Sequence, residues 1–97
     1  MSNEERKTML KIDLGISTTV YDERLLQYIQ TAELEIKREG YTFPETPTID
    51  DDQLIVMYAA WLWRKRDSGE GMPRMLRYTL NNRIFSQKMK TEGDSNR

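Results

Sequence analysis

The chain has no cysteine and no histidine among its 97 residues. Without cysteine there is no disulfide framework, no thiolate metal site and no cysteine nucleophile. Without histidine, the commonest general base and transition-metal ligand are missing as well. Carboxylates remain for a Ca²⁺ or Mg²⁺ site, yet no EF-hand spacing occurs. Long apolar runs are also lacking: the richest stretch, Leu54 to Trp63, covers about ten residues, half a membrane span. The N-terminal Met1-Ser2-Asn3-Glu4-Glu5 is acidic and has no apolar signal region. No glycine-rich phosphate loop, catalytically spaced carboxylate pair or nucleophile motif is present. The expectation is a soluble, cytosolic protein that is not an enzyme, holds no metal or cofactor, and does not enter a membrane.

Apolar residues make up 37%, below the roughly 45–50% of an ordinary globular domain. A chain of this length buries only about 60–65% of its unfolded surface, so a lean core is expected in a single helical domain over residues 1–90, followed by a disordered tail at 91–97. The near-zero net charge of −1 conceals a split. Residues 1–52 carry 6 basic and 12 acidic groups, residues 53–97 carry 9 basic and 4 acidic, so the halves stand at −6 and +5.

The pattern predicts an all-α fold, a small bundle of four helices with room for a fifth. Ser2 followed by Glu5 fits a capping box, opening a helix from Asn3 to Asp13 with Gly15 as its left-handed terminus. Asp22 is placed as the N-cap of a second helix ending at Glu39, whose Leu25, Ile29, Ala32 and Ile36 form one stripe. Residues 41–49 hold two prolines and no period, and read as a loop. Ile49 is expected to staple a third helix, Asp52 to Asp67, from outside its first turn. Asp50, Asp51 and Asp52 are expected to cap that turn and offset its dipole rather than bind metal. Leu54 to Trp63 is apolar all round, so this helix is either central or shared with another chain. Pro73 suits the first turn of a fourth helix, with Leu76, Leu80 and Ile84 as its apolar line, Met75 and Phe85 flanking it, and the pattern fading near Lys88–Lys90.

Two features bear on function. The basic run Arg64-Lys65-Arg66 with Arg74, Arg77 and Arg83 offers a phosphate-contacting surface for a small helical DNA-binding regulator. Against that, Asp67-Ser-Gly-Glu-Gly-Met is longer and more acidic than the tight turn of a helix-turn-helix. Trp61 and Trp63 stand about 200° apart on the third helix and cannot share one core face. Either one anchors the bundle while the other meets a neighbouring chain, or the second caps the core beneath the turn between helices three and four.

The order of elements resembles a known family. It runs from a lead-in Ile16–Asp22, through Leu25-Leu-Gln-Tyr-Ile-Gln-Thr-Ala-Glu-Leu-Glu-Ile-Lys, to an apolar helix preceded by acidic residues. Together with Tyr58-Ala-Ala-Trp-Leu-Trp-Arg-Lys-Arg-Asp-Ser-Gly-Glu-Gly-Met-Pro-Arg-Met-Leu-Arg-Tyr-Thr-Leu-Asn-Asn-Arg, it is similar to tailed-phage head–tail connector (adaptor, head-completion) proteins of Gram-positive hosts and their prophages. The likeness spans about residues 9–89 and is most specific over 58–86. It implies a ring of identical small helical subunits, twelve-fold in the virion, docked beneath the portal protein. Such a ring completes the head after DNA packaging, presents a surface to the next connector or tail protein, and extends a channel through which DNA passes non-specifically. The implied location is the host cytoplasm during assembly and then the virion neck. The implied role of the C-terminal segment is contact with the portal.

A closed ring needs one face of a subunit to meet a different face of its neighbour. The unlike charge halves suggest a subunit interface in which Glu33 and Glu35 of the second helix approach Arg64, Lys65, Arg66, Arg74 and Arg77 of the next subunit, with Trp61 and Trp63 adding apolar area.

Overall fold

The structure, a computed structural model, describes the backbone of residues 1–95 and the side chains of residues 1–90. Four helices follow in order: α1 Asn3–Leu14, α2 Asp22–Arg38, α3 Ile49–Ser68 and α4 Arg74–Ser95, with no strand among the described residues. The fold is therefore all-α. The tail expected over 91–97 falls on residues whose side chains, and at 96–97 whose backbone, lie outside that description.

Each helix starts for a local reason. In α1 the Glu5 amide donates to Ser2 Oγ at 3.2 Å and the Ser2 amide to Glu5 Oε1 at 3.0 Å, the reciprocal box expected from the sequence. Gly15 ends the helix at φ 71°, where a side chain would be strained. α2 departs from expectation: Asp22 is its first residue and not its cap, and Tyr21 precedes it with no side-chain cap bond. The Asp22 carboxylate instead accepts from Lys11 Nζ at 2.8 Å and lies 3.5 Å from Lys7 Nζ, tying the start of α2 to α1. α3 begins earlier than the pattern suggests. Thr48 is the cap, in a box with Asp51, which makes Ile49 the first helical residue and leaves it 69% exposed, so it staples nothing. Gly69 closes α3 at φ 66°. The Pro73 carbonyl accepts from the Arg77 amide at 3.0 Å, so proline serves the first turn of α4 from just outside it.

α3 is the central rod, and α1, α2 and α4 all pack on it. Leu54, Ile55, Val56, Tyr58, Ala59, Ala60 and Leu62 are buried along it, meeting Leu10 of α1, the Leu25–Ile29–Ala32–Ile36 stripe of α2, and Leu76 and Leu80 of α4. Each large side chain so enclosed contributes roughly 1.5–3 kcal/mol. The apolar girdle of α3 is thus met chiefly within the monomer, so of the two readings of this helix the central one describes it. The molecule measures 53 × 28 × 17 Å.

Candidate functional site

Two buried carboxylates fix how the outer helices sit. Asp52 is 1% exposed and receives Arg6 through Nε at 2.8 Å and Nη2 at 2.7 Å, with the N-terminal ammonium 3.4 Å away. Arg6 is itself buried and also reaches Glu33 at 3.6 Å, so one guanidinium joins α1 to both α3 and α2. Asp51 is fully buried one residue earlier. It accepts from the Tyr41 hydroxyl at 2.5 Å, Arg83 Nη2 at 2.7 Å and the Thr48 amide at 2.9 Å. Burial pushes the Asp51 carboxyl up, but the hydrogen bonds from Tyr41, Thr48 and Arg83 outweigh it and hold the group below its ordinary range. Burial, and the bond donated to Asp51, push the Tyr41 phenol up. The aspartates do cap and offset the dipole, and they are also the anchors of Arg6 and Arg83. These pairs are structural: each charge is answered inside the fold.

The proposed interface residues are largely engaged at home. Trp61 is half-buried under the α3–α4 turn, its Nε1 donating to the Glu70 carbonyl at 3.2 Å, with Lys65 Nζ 4.5 Å from its ring centroid. Trp63 packs edge-on against Tyr21 at 5.1 Å and Tyr28 at 6.0 Å, with the Arg66 guanidinium 3.5 Å from its ring centroid. Of the two readings of this pair, the cap beneath the turn describes Trp61, while Trp63 belongs to the α2–α3 seam. Arg77 pairs with Glu39 at 2.5 Å, Glu33 with Arg6 and more distantly Lys37, and Glu35 with Arg38 at 2.8 Å. Arg66 lies 3.4 Å from Asp67. The charge split written along the sequence is therefore partly folded back on itself. Arg64 and Arg74 are exposed with no carboxylate partner among the described residues, and stay available to another molecule.

What the monomer leaves unfinished lies on two other surfaces. On α4, Leu76 and Leu80 are buried and Ile84 half-buried toward α3, while Met75, Tyr78, Phe85 and Met89 are 69%, 63%, 63% and 55% exposed. These four and Asn82 are spaced three, four, three and four residues apart, a second line about 180° around the helix from the first. From Arg74 to Lys90 the sequence has five basic residues and no acidic one. Arg77 and Arg83 turn to Glu39 and Asp51, leaving Arg74, Lys88 and Lys90 beside the outward line.

The other surface is a groove over α3, between α1 and the start of α4. One part, a cavity of about 290 Å³, is lined by Asp13, Met57, Ala60, Arg64, Pro73, Met75 and Leu76. An adjoining part of about 270 Å³ shares Asp13 and Met57 and adds Met9, Gln53 and Val56. Residues 53, 57, 60 and 64 recur at helical spacing, so the floor is one open strip of the central rod. Met9, Met57 and Met75 give it a soft, adaptable lining. On the α1 lip, Glu5, Ile12 and Asp13 are exposed, while Glu4 pairs with Lys7 at 2.7 Å.

Among the described residues no group of three or more acidic, histidine or cysteine side chains is placed to hold a metal ion, and no helix is long and apolar enough to cross a membrane. No protein-family model, curated protein or solved structure matches the chain.

The outward line of α4 was legible in the spacing of residues 75, 78, 82, 85 and 89, but was absorbed into the flanks of the Leu76–Leu80–Ile84 line. The Arg6–Asp52 and Arg83–Asp51 pairs join residues 46 and 32 positions apart, a separation that no local pattern marks.

Proposed function

We propose that the protein is a structural subunit that assembles with copies of itself into a ring, in the manner of the phage head–tail connectors that its sequence resembles. In that role it joins the portal of a filled head to the next connector or tail protein and extends the DNA channel. The observation that carries this reading is the two-faced α4: one apolar line completes the monomer and the other is left to solvent. Monomeric proteins seldom leave four large apolar side chains along one helix face uncovered, even with Asn82 between them, unless that face is an interaction site. The basic–apolar α4 and the acidic lip of α1 are unlike faces, as a head-to-tail contact requires.

The same helix argues against the DNA-binding regulator. A recognition helix offers hydrogen-bond donors and acceptors to base edges along its outward face. α4 offers Met75, Tyr78, Phe85 and Met89 there, with Asn82 between them.

Negative-stain imaging and light scattering of the purified chain, alone and with a portal protein, test the proposal. Closed rings are the expected result, with at most weak, non-specific DNA retention. A small dimer that shifts duplex DNA with a steep salt dependence would replace this reading with the regulator.

A further inference from the structure

Resting on the assembly reading, we propose which two surfaces meet: the outward line of α4 in one copy lies in the groove over α3 of a second copy. Phe85 and Met89 enter beside Met57 and Met9, and Lys88, on one flank of the stripe, faces Asp13 on the α1 lip. Charge selects this occupant. The outward side of α4 is cationic with no acid from Arg74 to Lys90, whereas α1 exposes Glu5 and Asp13, Glu4 being paired with Lys7 and Lys11 with Asp22. Arg64 is the one cation in the groove lining. Length argues against the simplest rival, α4 against α4. That pair would share only two heptads, short of the roughly 3–4 of a sustained coiled coil. It would also set Arg74, Lys88 and Lys90 of both copies together with no carboxylate between them. A stripe-in-groove contact is heterologous, so every subunit is gripped on two sides, and the small area of each contact is repeated around the assembly.

The absence of cysteine makes the test direct, because any introduced thiol is the only one. Met57→Cys protein is mixed under mild oxidation with Phe85→Cys or Met89→Cys protein. The expected product is the mixed disulfide dimer, dominant over either self-linked dimer. A product dominated by Phe85→Cys linked to itself overturns the proposal in favour of α4–α4 pairing. Assemblies seen by light scattering with no link to position 57 overturn the groove but leave the ring reading standing. A monomer at every concentration with no cross-link overturns both. As a second variant, Phe85→Asp is expected to weaken self-association about tenfold or more with unchanged helical circular dichroism, since this ring is mostly in solvent in the monomer. Unchanged association of that variant counts against the stripe.

Discussion

The Arg6–Asp52 pair gives the sharpest test of how α1 is held. Both side chains are almost fully enclosed, and Arg6 meets Asp52 through two nitrogens at 2.8 and 2.7 Å. α1 has little else to hold it: Leu10 is its only fully buried apolar side chain, helped by half-buried Met9 and Leu14. Replacing Arg6 with Met keeps the apolar stem and leaves the Asp52 carboxylate facing only the N-terminal ammonium at 3.4 Å. Removing one partner of a buried pair costs roughly 3–5 kcal/mol, and the remaining ammonium places the loss near the lower end, about 3 kcal/mol. For a domain this small each kcal/mol moves the melting temperature by roughly 4–8 °C, so a fall of about 12–24 °C is expected in thermal circular dichroism. The double variant Arg6→Met/Asp52→Leu removes both charges and should return to within about 1 kcal/mol of the parent, since an apolar replacement of a buried pair is often neutral. Amide exchange should show the loss in α1 first. An Arg6→Met variant that loses under about 1 kcal/mol, or a double variant as unstable as the sum of its singles, would refute this account of the pair.

Three further outcomes follow from the same contacts. Glu5, Asp22 and Asp51 have carboxyls held below their ordinary values: Glu5 by the Ser2 box, Asp22 by Lys11, and Asp51 by hydrogen bonds that exceed the opposing effect of burial. The unfolded chain then binds protons more tightly, so their stabilisation is complete above the ordinary values of 3.8 and 4.5 and is lost as pH falls through the lower folded values. Urea midpoints should be flat from neutral pH to about pH 5 and drop below pH 4, and a midpoint unchanged at pH 3 would contradict the assignment. The two faces of α4 should separate in a stability assay. Leu80→Ala should cost roughly 2–5 kcal/mol, while Phe85→Ala in the dissociated monomer should stay within about 0.5 kcal/mol. Gly69→Ala forces a side chain into the left-handed region and should cost about 1–2 kcal/mol, read as a lowered denaturant midpoint.

Helix number and type were legible because the caps and apolar periods were local. Ser2 with Glu5, the Leu25–Ile36 stripe, Gly15 and Gly69 each act within one helix, and each stands where the pattern places it. What was not legible depended on neighbours distant in sequence. Asp22 reads as an N-cap by residue type, but Lys7 and Lys11 of α1 draw its carboxylate away. Asp51 and Asp52 read as dipole compensation, which is correct but incomplete: the arginines they anchor lie on other helices. Within one chain Arg77 meets Glu39 from 38 positions away, which no spacing marks, whereas Glu35 with Arg38 is an i,i+3 pair that the spacing does show.

The two apolar surfaces of this protein exchange roles between sequence and structure, and the reason is geometric. An apolar residue count around a helix reports how much surface must be covered, but not by what. α3 is the most apolar helix, yet along its middle it is short of cover chiefly at Gln53, Met57 and Arg64, because three helices of its own chain surround the rest. α4 has fewer apolar residues, yet it lies at the periphery with one side against α3, so among the described residues its second line, apart from Met75 at the groove, is left mostly to solvent. An interface is therefore better sought where an apolar line exceeds the neighbours available to it than where apolar residues are most numerous. On that criterion the α4 line and the open strip of α3 are the two unfinished surfaces. One is a ridge flanked by Arg74, Lys88 and Lys90 and the other a trough with Asp13 on its α1 side, and that difference is what the proposed contact with a second copy rests on.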